Sequence, residues 1–370
     1  RAKILYVHDN NNQRSFDCIN SYGSFSYVIY TSGSTGVPKG VSVGSEALIS
    51  FLNSFAKTAM SIKQIKFLAH TSLSFDISLL ELILPLLMKG TVVLCNENEA
   101  NNFKSIIRLV TQYQITYLQT TPSFLSLLIK RINKDNFSSI KILFIGGELL
   151  SPNLVEQVQN ISNCEIFNLY GPTEATIWCA LSKINNNKEP TIGKAFGASE
   201  LIVVDECDNV IENPNIQGQL YISGKQLFDG YYENEKATNR ALCRIGDKIF
   251  YKTGDIVCYN EDKNLKFIGR VDNQVKINGN RVELEEIETY IEKIPKVMSA
   301  VVIACKNEYK YYLKCFISAD GTICIDEIKD SLKKNLPDYM MPLSFIQIDK
   351  IPLTINGKKD RNKLINDNKE

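Results

Sequence analysis

Residues 30–40 read YTSGSTGVPKG and combine the residue types that proteins use to bind a polyanion. The segment holds three glycines, four Ser or Thr hydroxyls, one Pro and one Lys. Glycines let backbone N–H groups approach phosphate oxygens closely, and the hydroxyls and Lys39 add donors and positive charge. The spacing differs from a Walker-type loop, so these residues alone are compatible with a phosphate loop or with a surface turn.

A second segment, NLYGPTEATIW at residues 168–178, places a carboxylate just after an apolar strand. Glu174 would be a natural Mg²⁺ ligand beside a phosphate site, and the ring of Tyr170 suits stacking on a base. The alternative is a helix start, with Thr173 as the cap and Glu174 in a favourable position near the helix N-terminus.

Polar residues farther along the chain also have two interpretations. Asp255 in YKTGDI suits the hydroxyls of a ribose or, alternatively, an ordinary turn. Arg270 and Asp272 lie where the sequence texture changes, which indicates either a hinge or a plain linker. Lys358 follows a glycine near the C-terminus, so it is either a mobile point charge for an anionic site or a solvated tail residue.

The composition is typical of a soluble globular protein with two or three domains. The chain has 370 residues, of which 44% are hydrophobic and 22% charged, and its net charge is +1. The small net charge argues against nucleic-acid and membrane partners, and no apolar run is long enough for a membrane span. Ten cysteines without CxxC spacing favour free thiols in a reducing compartment, so we expect a cytoplasmic location. Only two histidines are present, so histidine-based catalysis is poorly supplied.

The order of the apolar patterns predicts three regions. In residues 1–189, short apolar strands alternate with amphipathic helices, which predicts a parallel α/β sheet with ligands at the carboxyl ends of its strands. Residues 190–271 contain short alternating strands separated by turns, which predicts a small antiparallel or barrel-like unit. Residues 272–370 run helix, strand, strand, helix, which predicts a compact α+β domain.

Taken together and in this order, the segments resemble the amino-acid adenylation domains of nonribosomal peptide synthetases, which belong to the adenylate-forming superfamily. The resemblance covers residues 30 to 361 and rests on eight motifs in the family's order, which makes it very specific. The motifs are YTSGSTGVPKG, FDISLLE, NLYGPTEAT, GQLYISG with DGYY, YKTGDI, GRVDNQVKINGNRVELEEIE, LPDYMMP and NGKKDR.

The resemblance implies layered α/β sheets and a small β-barrel in a large N-terminal part, followed by a small mobile α+β C-terminal domain with its hinge at Asp272. It implies activation of an amino acid with ATP and Mg²⁺, which releases pyrophosphate and forms an aminoacyl-adenylate. The acyl group would then pass to the phosphopantetheine thiol of a carrier protein, with other synthetase domains as further partners. Gly279 matches a position that lines the pantetheine path after the domain rotates.

The resemblance also assigns roles to individual residues. Lys358 matches the catalytic lysine, Glu174 the Mg²⁺ ligand and Thr173 a position near the α-phosphate. Attack of a carboxylate on an α-phosphate needs positioning and positive charge rather than a general base, which agrees with the scarcity of histidine. The positions that match nucleotide contacts are Thr31, Ser32, Gly33, Ser34, Thr35, Gly36, Lys39, Gly147, Tyr170, Asp255 and Arg270.

Asp76 in FDISLL matches the family's anchor for the ammonium group of the substrate. The pocket positions, read in order, resemble those of glycine-activating domains, except that Phe144 stands where Leu is usual. Trp178 would leave little room for a side chain, so we predict glycine. L-alanine is the second choice, because one methyl group is worth only about 1–3 kcal/mol of discrimination. The other matching positions are Ile77, Leu80, Gln119, Gly146, Leu169, Ile177 and Lys358.

Other interpretations stay open. Family members carry roughly another 100–150 residues before this phosphate-loop motif, whereas 29 precede it here, so we expect an N-terminally incomplete domain. The alternatives are a small-acid, fatty-acyl or aryl ligase of the same superfamily, a D-alanine–carrier ligase, and a truncated binding module without catalysis. Asp76 argues against a substrate that lacks an amine, and the intact Lys358, Glu174 and Asp255 argue against lost catalysis.

Overall fold

The computed structural model divides into two compact units. The first consists of residues 1–30 and 40–271, and the second of residues 31–39 and 272–370. In the later part of the chain, the first unit ends at Val271 and the second unit begins at Asp272. The structure describes residues 3–5, 25–32, 38–62, 64–100, 102–185, 189–277, 279–306, 311–353 and 359–367.

The strands of the described residues form several separate sheets. In chain order they are β1 (Lys3–Leu5), β2 (Phe25–Thr31), β3 (Lys39–Gly44), β4 (Lys66–Ala69), β5 (Thr91–Leu94), β6 (Tyr117–Thr120), β7 (Ile142–Gly146), β8 (Glu165–Tyr170), β9 (Ala180–Lys183), β10 (Lys194–Ala195), β11 (Ser199–Val204), β12 (Val210–Ile211), β13 (Gln217–Gly224), β14 (Gly230–Tyr231), β15 (Leu242–Ile245), β16 (Lys248–Tyr259), β17 (Leu265–Arg270), β18 (Gln274–Ile277), β19 (Asn280–Glu283), β20 (Val297–Lys306), β21 (Tyr311–Ala319) and β22 (Ser344–Gln347).

The helices lie mostly between strands of the larger sheet and in the second unit. Among the described residues, none is both long enough and apolar enough to cross a membrane. In chain order, the helices of the described residues are α1 (Ser45–Ala59), α2 (Ile77–Leu87), α3 (Glu97–Ala100), α4 (Phe103–Tyr113), α5 (Pro122–Ile129), α6 (Lys134–Phe137), α7 (Pro152–Ile161), α8 (Glu235–Ala241), α9 (Leu284–Glu292), α10 (Ile325–Asn335) and α11 (Arg361–Asp367).

The main sheet of the first unit has eight strands in the order β1-β5-β4-β6-β7-β8-β9-β10. The pairs from β1 to β8 are parallel, whereas β8–β9 and β9–β10 are antiparallel. Parallel neighbours need a crossover between them, and the helices of this region supply it. The α/β class predicted from the sequence is confirmed.

Side chains of the central strands alternate between two apolar layers. On β7, Leu143 and Ile145 face the layer that includes α4, α5 and α7, whereas Ile142 and Phe144 face the layer that includes α1 and α2. Helices cover both faces, which is why these strands are apolar throughout. The alternation decides which residues at the strand ends can share a pocket.

The first unit also contains a larger antiparallel sheet and a smaller three-stranded sheet. The path of the larger sheet is β12-β11-β13-β16-β15, and β17 pairs with β16, while the three-stranded sheet has the order β14-β3-β2. In the pairing of β16 with β17, Asp255 lies opposite Arg270. The short alternating strands of the sequence thus form an antiparallel unit, with two predicted site residues as cross-strand neighbours.

The second unit is a three-stranded sheet, β20-β21-β22, between helices. The helices α9 and α10 pack on one apolar face, and α11 packs on the other. The hairpin of β18 and β19 turns at Gly279, whose φ of +81° is a conformation that glycine adopts without strain.

A buried carboxylate holds the C-terminal segment on α9. Glu288 Oε1 accepts hydrogen bonds from Val302 N–H at 2.8 Å and from Arg361 Nη2 at 2.6 Å. Its Oε2 accepts from Lys359 Nζ at 3.1 Å. Burial raises the pKa of the Glu288 carboxyl, and the charges of Arg361 and Lys359 oppose that rise. Lys359 Nζ also pairs with Glu292 Oε1 at 2.8 Å, and Arg361 Nη2 with Glu285 Oε1 at 3.1 Å, so three acids of α9 hold residues 359 and 361.

Replacing Glu288 by Ala should destabilise the protein by about 2 kcal/mol, because the buried Val302 N–H loses its acceptor and the two cations keep only the more exposed acids Glu285 and Glu292. Urea unfolding followed by circular dichroism measures this change. Asp326→Ala is the control, since Asp326 forms an exposed pair with Lys329 at 3.6 Å that should contribute under about 1 kcal/mol. Equal unfolding midpoints for the two variants would contradict the prediction.

Candidate functional site

The carboxyl ends of β6, β7 and β8 bring four predicted pocket residues together. Gln119 pairs in register with Phe144, and Gly146 pairs with Leu169. These positions share the strand face of Ile142, which is the face covered by α1 and α2. All lie where ligands of parallel sheets usually bind.

Trp178 closes one side of this region. Its ring is 1% exposed and lies against Gly146, where an added Cβ would be only 2.6 Å from Cη2 and 3.0 Å from Cζ3. Only a glycine at position 146 leaves room for the ring there. Leu80, Leu169 and Ile177 belong to the same apolar cluster.

The half-buried Ile77 also packs against that cluster, so the predicted pocket residues Ile77, Leu80, Phe144, Leu169, Ile177 and Trp178 share one apolar region.

Phe144 fits its position because it belongs to a cluster of aromatic rings. Its centroid lies 5.1 Å from that of Phe55, 5.8 Å from Phe167, 6.1 Å from Tyr117 and 6.4 Å from Phe67. Such pairs contribute about 0.5–1.5 kcal/mol each beyond the area they bury. The departure from the usual Leu is thus matched by its neighbours.

Asp76 lies at the N-terminus of α2 but does not act as a cap. Its side chain makes no capping hydrogen bond, it is 7% exposed, and its Oδ2 has no hydrogen-bond partner among the described residues. Burial raises the pKa of the Asp76 carboxyl to about 6, against the opposing hydrogen bonds of Thr173, Ile77 and Ile177 and with a further rise from the Glu174 charge. The carboxylate therefore lies close to the turn that carries Thr173 and Glu174.

Tyr27 on β2 is a residue that the sequence interpretation missed. Its hydroxyl is buried and has no hydrogen-bond partner in the described part of the chain. Burial, and next the negative charge of Asp76, raise the pKa of the Tyr27 phenol. A hydroxyl on this strand was the only signal available, and it did not distinguish Tyr27 from Ser26, Tyr30 or Thr31.

Two more buried polar atoms around this apolar cluster lack partners among the described residues. They are Gln119 Oε1 and Trp178 Nε1, in addition to Tyr27 Oη and Asp76 Oδ2. Because buried polar atoms in native proteins nearly always have partners, such a concentration indicates a place where a ligand or water completes the hydrogen bonds.

Glu174 lies in the short 3₁₀ turn Thr173–Ala175, which follows β8. No side chain caps this turn, so the helix start considered from the sequence does not form. Glu174 is 1% exposed, and its Oε1 accepts a hydrogen bond from Tyr231 Oη at 2.8 Å. The turn thus holds a buried carboxylate beside Thr173.

This carboxylate suits the way proteins usually hold Mg²⁺. Within the described ranges, no group of three or more His, Cys, Asp or Glu side chains forms a metal site. Mg²⁺ is commonly bound through one or two carboxylates together with substrate phosphates rather than by a protein cage. The donor set around Glu174 fits that mode, and its role as ligand stays a prediction.

The residues after this turn are strained. Thr176 has φ of 55° and Ile177 has φ of 69°, and Trp178 N–H donates to the Thr176 carbonyl at 2.9 Å. The result is a γ-turn with positive φ at a β-branched residue, a rare geometry. Each such residue costs on the order of 1–3 kcal/mol and persists only where its surroundings hold it.

Three predicted nucleotide residues are in direct contact. Tyr170, the last residue of β8, donates its hydroxyl to Asp255 Oδ2, and the Arg270 guanidinium pairs with Asp255 Oδ1. Burial, and then the Asp255 charge, raise the pKa of Tyr170. Tyr170 and Arg270 thus orient the carboxylate of Asp255 from both of its oxygens. Gly147, another predicted nucleotide residue, follows β7 with φ of +86°.

Other predicted residues belong to the second unit. Ser32 donates its hydroxyl to the Arg281 carbonyl at 2.7 Å, and Asp272 Oδ1 accepts from Gln274 N–H at 3.2 Å. Thr31 ends β2, Lys39 begins β3 and Gly279 forms the β18–β19 turn. The predictions for Gly33, Ser34, Thr35, Gly36 and Lys358 lie outside the described residues.

Family models match both parts of the chain. Residues 9–232 match the model described as AMP-binding enzyme, and residues 286–358 match the one described as AMP-binding enzyme C-terminal domain. The chain therefore belongs to the AMP-binding enzyme family, and the resemblance stated from its motifs is confirmed.

Individual relatives include the dimodular nonribosomal peptide synthase of Bacillus subtilis (strain 168), 34% identical over 91% of this chain and 14% of that protein. Zwittermicin A synthase ZmaJ of Bacillus cereus is 34% identical over 94% of this chain and 69% of that protein. The crystal structure of the Vibrio cholerae adenylation domain AlmE in complex with glycyl-adenosine-5'-phosphate superposes with a TM-score of 0.85 and 26% identity, over 94% of this chain and 67% of that chain. The chain thus spans a small fraction of the dimodular synthase.

Replacing Asp76 by Asn should raise the free energy of unfolding at neutral pH. The raised carboxyl pKa means that ionisation penalises the folded state, by about 3 kcal/mol once pH exceeds about 6. The penalty vanishes below about pH 4, where both folded and unfolded states are protonated, so the advantage of the Asn variant should grow from pH 4 to pH 7. Urea unfolding at several pH values measures it.

The control for this experiment is Asp320→Asn, because Asp320 is exposed. It should not show the same pH dependence. An Asp76→Asn variant that is less stable than the unchanged chain at pH 7 would rule out a destabilising buried carboxylate at this position.

Proposed function

We propose that the chain uses ATP and Mg²⁺ to adenylate a small amino acid, glycine in the first place, and releases pyrophosphate. The aminoacyl group then passes to the phosphopantetheine thiol of a carrier protein, with other synthetase domains as neighbours, in nonribosomal peptide synthesis. The observation that carries the proposal is the buried Asp76 carboxylate, whose Oδ2 is unpaired among the described residues.

A buried carboxylate is costly unless a positive group compensates it. The α-ammonium of an amino acid supplies that charge, whereas a fatty-acyl, aryl or other small acid without an amine does not. Tyr27 Oη, buried and unpaired among the described residues, offers a second acceptor for the same ammonium. Asp76 therefore favours an amino acid over the other substrate classes of the superfamily.

Glycine is supported by the space beyond the anchor. Trp178 lies against Gly146, and Leu80 and Leu169 belong to the same apolar cluster, so we expect the ring to restrict the room for a substrate side chain. The AlmE structure in complex with glycyl-adenosine-5'-phosphate supports the same choice. L-alanine, larger by one methyl group, is the second choice.

The nucleotide would be bound by residues at the carboxyl edge of the main sheet and in the glycine-rich segment. Asp255, oriented by Tyr170 and Arg270, suits the ribose hydroxyls. Gly147 would lie beside the base, and Tyr170 would stack on it. The residues of the glycine-rich segment that would bind the phosphates are Thr31, Ser32, Gly33, Ser34, Thr35, Gly36 and Lys39.

In the proposed reaction, a carboxylate oxygen of the amino acid forms a bond to the α-phosphorus while the bond to the pyrophosphate oxygen breaks. Lys358 would neutralise charge between the two anions, and Thr173 would lie near the α-phosphate. Mg²⁺ held by Glu174 would supply further positive charge to the phosphates. No proton acceptor is required, because the attacking oxygen is already ionised.

The thioester step would use the C-terminal part of the chain. In this proposal Asp272 is the hinge and Gly279 forms part of the pantetheine path. The three domains span residues 1–189, 190–271 and 272–370. All nine cysteines in the described residues are free, which fits the reducing cytoplasm as the place of reaction.

Amino-acid-dependent pyrophosphate exchange tests the function. We expect glycine to give the highest kcat/KM, about tenfold above L-alanine, since one methyl group costs about that much in a filled pocket. D-alanine and propionate belong in the same panel, because they represent the D-alanine ligase and the acid ligases without an amine. Faster exchange with L-alanine, serine or cysteine would overturn the glycine assignment. Nucleotide binding without exchange for any acid would support a non-catalytic module instead.

Lys358→Ala tests the catalytic lysine. The rate of exchange should fall by about 10²–10³, the usual cost of one charge-stabilising group, while the dissociation constant for ATP changes little. Lys363→Ala is a matched control, because Lys363 is an exposed lysine on the neighbouring helix α11. If both variants keep full exchange activity, Lys358 does not have the proposed role.

A further inference from the structure

The residues between β13 and β14 hold the strained turn from outside the main sheet. Gln226, which is 1% exposed, donates from Nε2 to the Trp178 carbonyl at 3.0 Å. Its own backbone carbonyl accepts a hydrogen bond from Thr176 Oγ1 at 2.6 Å. One residue thus binds the chain on both sides of Ile177.

Two further hydrogen bonds, one from this segment and one from β14, hold the preceding 3₁₀ turn. Phe228 N–H donates to the Glu174 carbonyl at 2.9 Å, and Tyr231 Oη donates to Glu174 Oε1 at 2.8 Å. The contacts of Gln226 are separate from these: one is to Thr176, which has positive φ, and the other is to Trp178, just after Ile177. Gln226 is therefore the group that faces the strained part of the turn.

The turn needs such support because its geometry is unfavourable in itself. Thr176 and Ile177 are β-branched residues at φ of 55° and 69°, which they leave readily unless neighbouring groups hold them. Relaxation of either residue would rotate the following peptide and move the Trp178 ring away from Gly146. The position of that ring, close enough to exclude any Cβ at residue 146, depends on the turn.

We infer that Gln226 is a positioning residue for substrate specificity: by holding the turn at residues 176–178, it fixes Trp178 and so limits the pocket to the smallest amino acids. This inference rests on the proposed function, because it assumes that Trp178 borders the amino acid. It assigns Gln226 no contact with the substrate. The expected consequence is that a chain without this amide accepts larger side chains.

Gln226→Met tests the inference in the full 370-residue chain. The substitution keeps the length of the side chain and removes the donor to the Trp178 carbonyl. Gln217→Met, on the exposed end of β13, is the matched control. Trp178 is the single tryptophan of the protein, so its fluorescence reports on the pocket without any need for activity. We expect emission at longer wavelength and stronger acrylamide quenching in Gln226→Met, with the control unchanged.

Pyrophosphate exchange adds the specificity readout. The ratio of kcat/KM for glycine to that for L-alanine should fall about tenfold in Gln226→Met, because the discrimination against one methyl group depends on the ring position. The KM for ATP should stay the same, since Glu174 keeps its own hydrogen bonds from Phe228 N–H and Tyr231 Oη, and Gln226 makes no described hydrogen bond to Asp255 or Tyr170. A purely structural loss would lower activity with both amino acids equally.

A second pair of variants covers the case in which Gln226→Met folds poorly. Thr176→Val removes the hydroxyl that donates to the Gln226 carbonyl, whereas Thr176→Ser keeps it. Thr176→Val should shift the tryptophan emission and the glycine-to-alanine ratio in the same direction as Gln226→Met. Thr176→Ser should leave both at the values of the unchanged chain.

The outcomes separate this inference from the proposed function. If the unchanged chain activates glycine but neither Gln226→Met nor Thr176→Val alters the fluorescence or the ratio, the inference is overturned and the function stands. If no amino acid supports exchange, the proposed function fails, and unchanged fluorescence in both variants still overturns the role of Gln226 in holding Trp178.

Discussion

The candidate site depends on one costly arrangement, the burial of the Asp76 carboxylate, which has no cation partner among the described residues. Asp76 lies at the start of α2 and is 7% exposed, with Thr173 and Ile177 as hydrogen-bond partners. A folded protein tolerates such a group only at a cost in stability, which a bound ammonium would remove. The site therefore trades stability for affinity, as binding sites commonly do.

The turn at residues 176–178 also lowers the stability of the fold, because its positive φ values cost energy. Gln226, in the connection after β13 of the antiparallel sheet, holds this turn in place. The main sheet supplies the strand ends, and the β13–β14 connection supplies Gln226. The pocket is thus built by two sheets of the first unit together. Cross-strand pairing in the antiparallel sheet likewise sets Arg270 opposite Asp255, which Tyr170 reaches from the main sheet. In both cases, precise positions arise where rigid elements meet.

Much of the fold followed from the sequence, because the apolar patterns were strong and local. FKSIIRLVTQY predicted a helix and forms α4, while KILFIGG and GQLYISG predicted strands and contain β7 and most of β13. The order of motifs was enough to identify the family. Alternation along β7 relates Phe144 to Gly146, since backbone geometry fixes that relation. Gln119 and Leu169 join the same face only through the register between strands, which the sequence does not give.

The sequence by itself determined the types of element, the family and the residues that carry charge, since these depend on local periodicity and on motif order. Only the tertiary structure decided that Asp76 does not cap α2 and that its Oδ2 has no hydrogen-bond partner among the described residues. It also decided that Tyr27 lies near Asp76 and that Gln226 spans the strained turn. These relations join residues far apart in the chain. Burial and hydrogen-bond geometry of that kind arise from packing between elements, which no local pattern encodes.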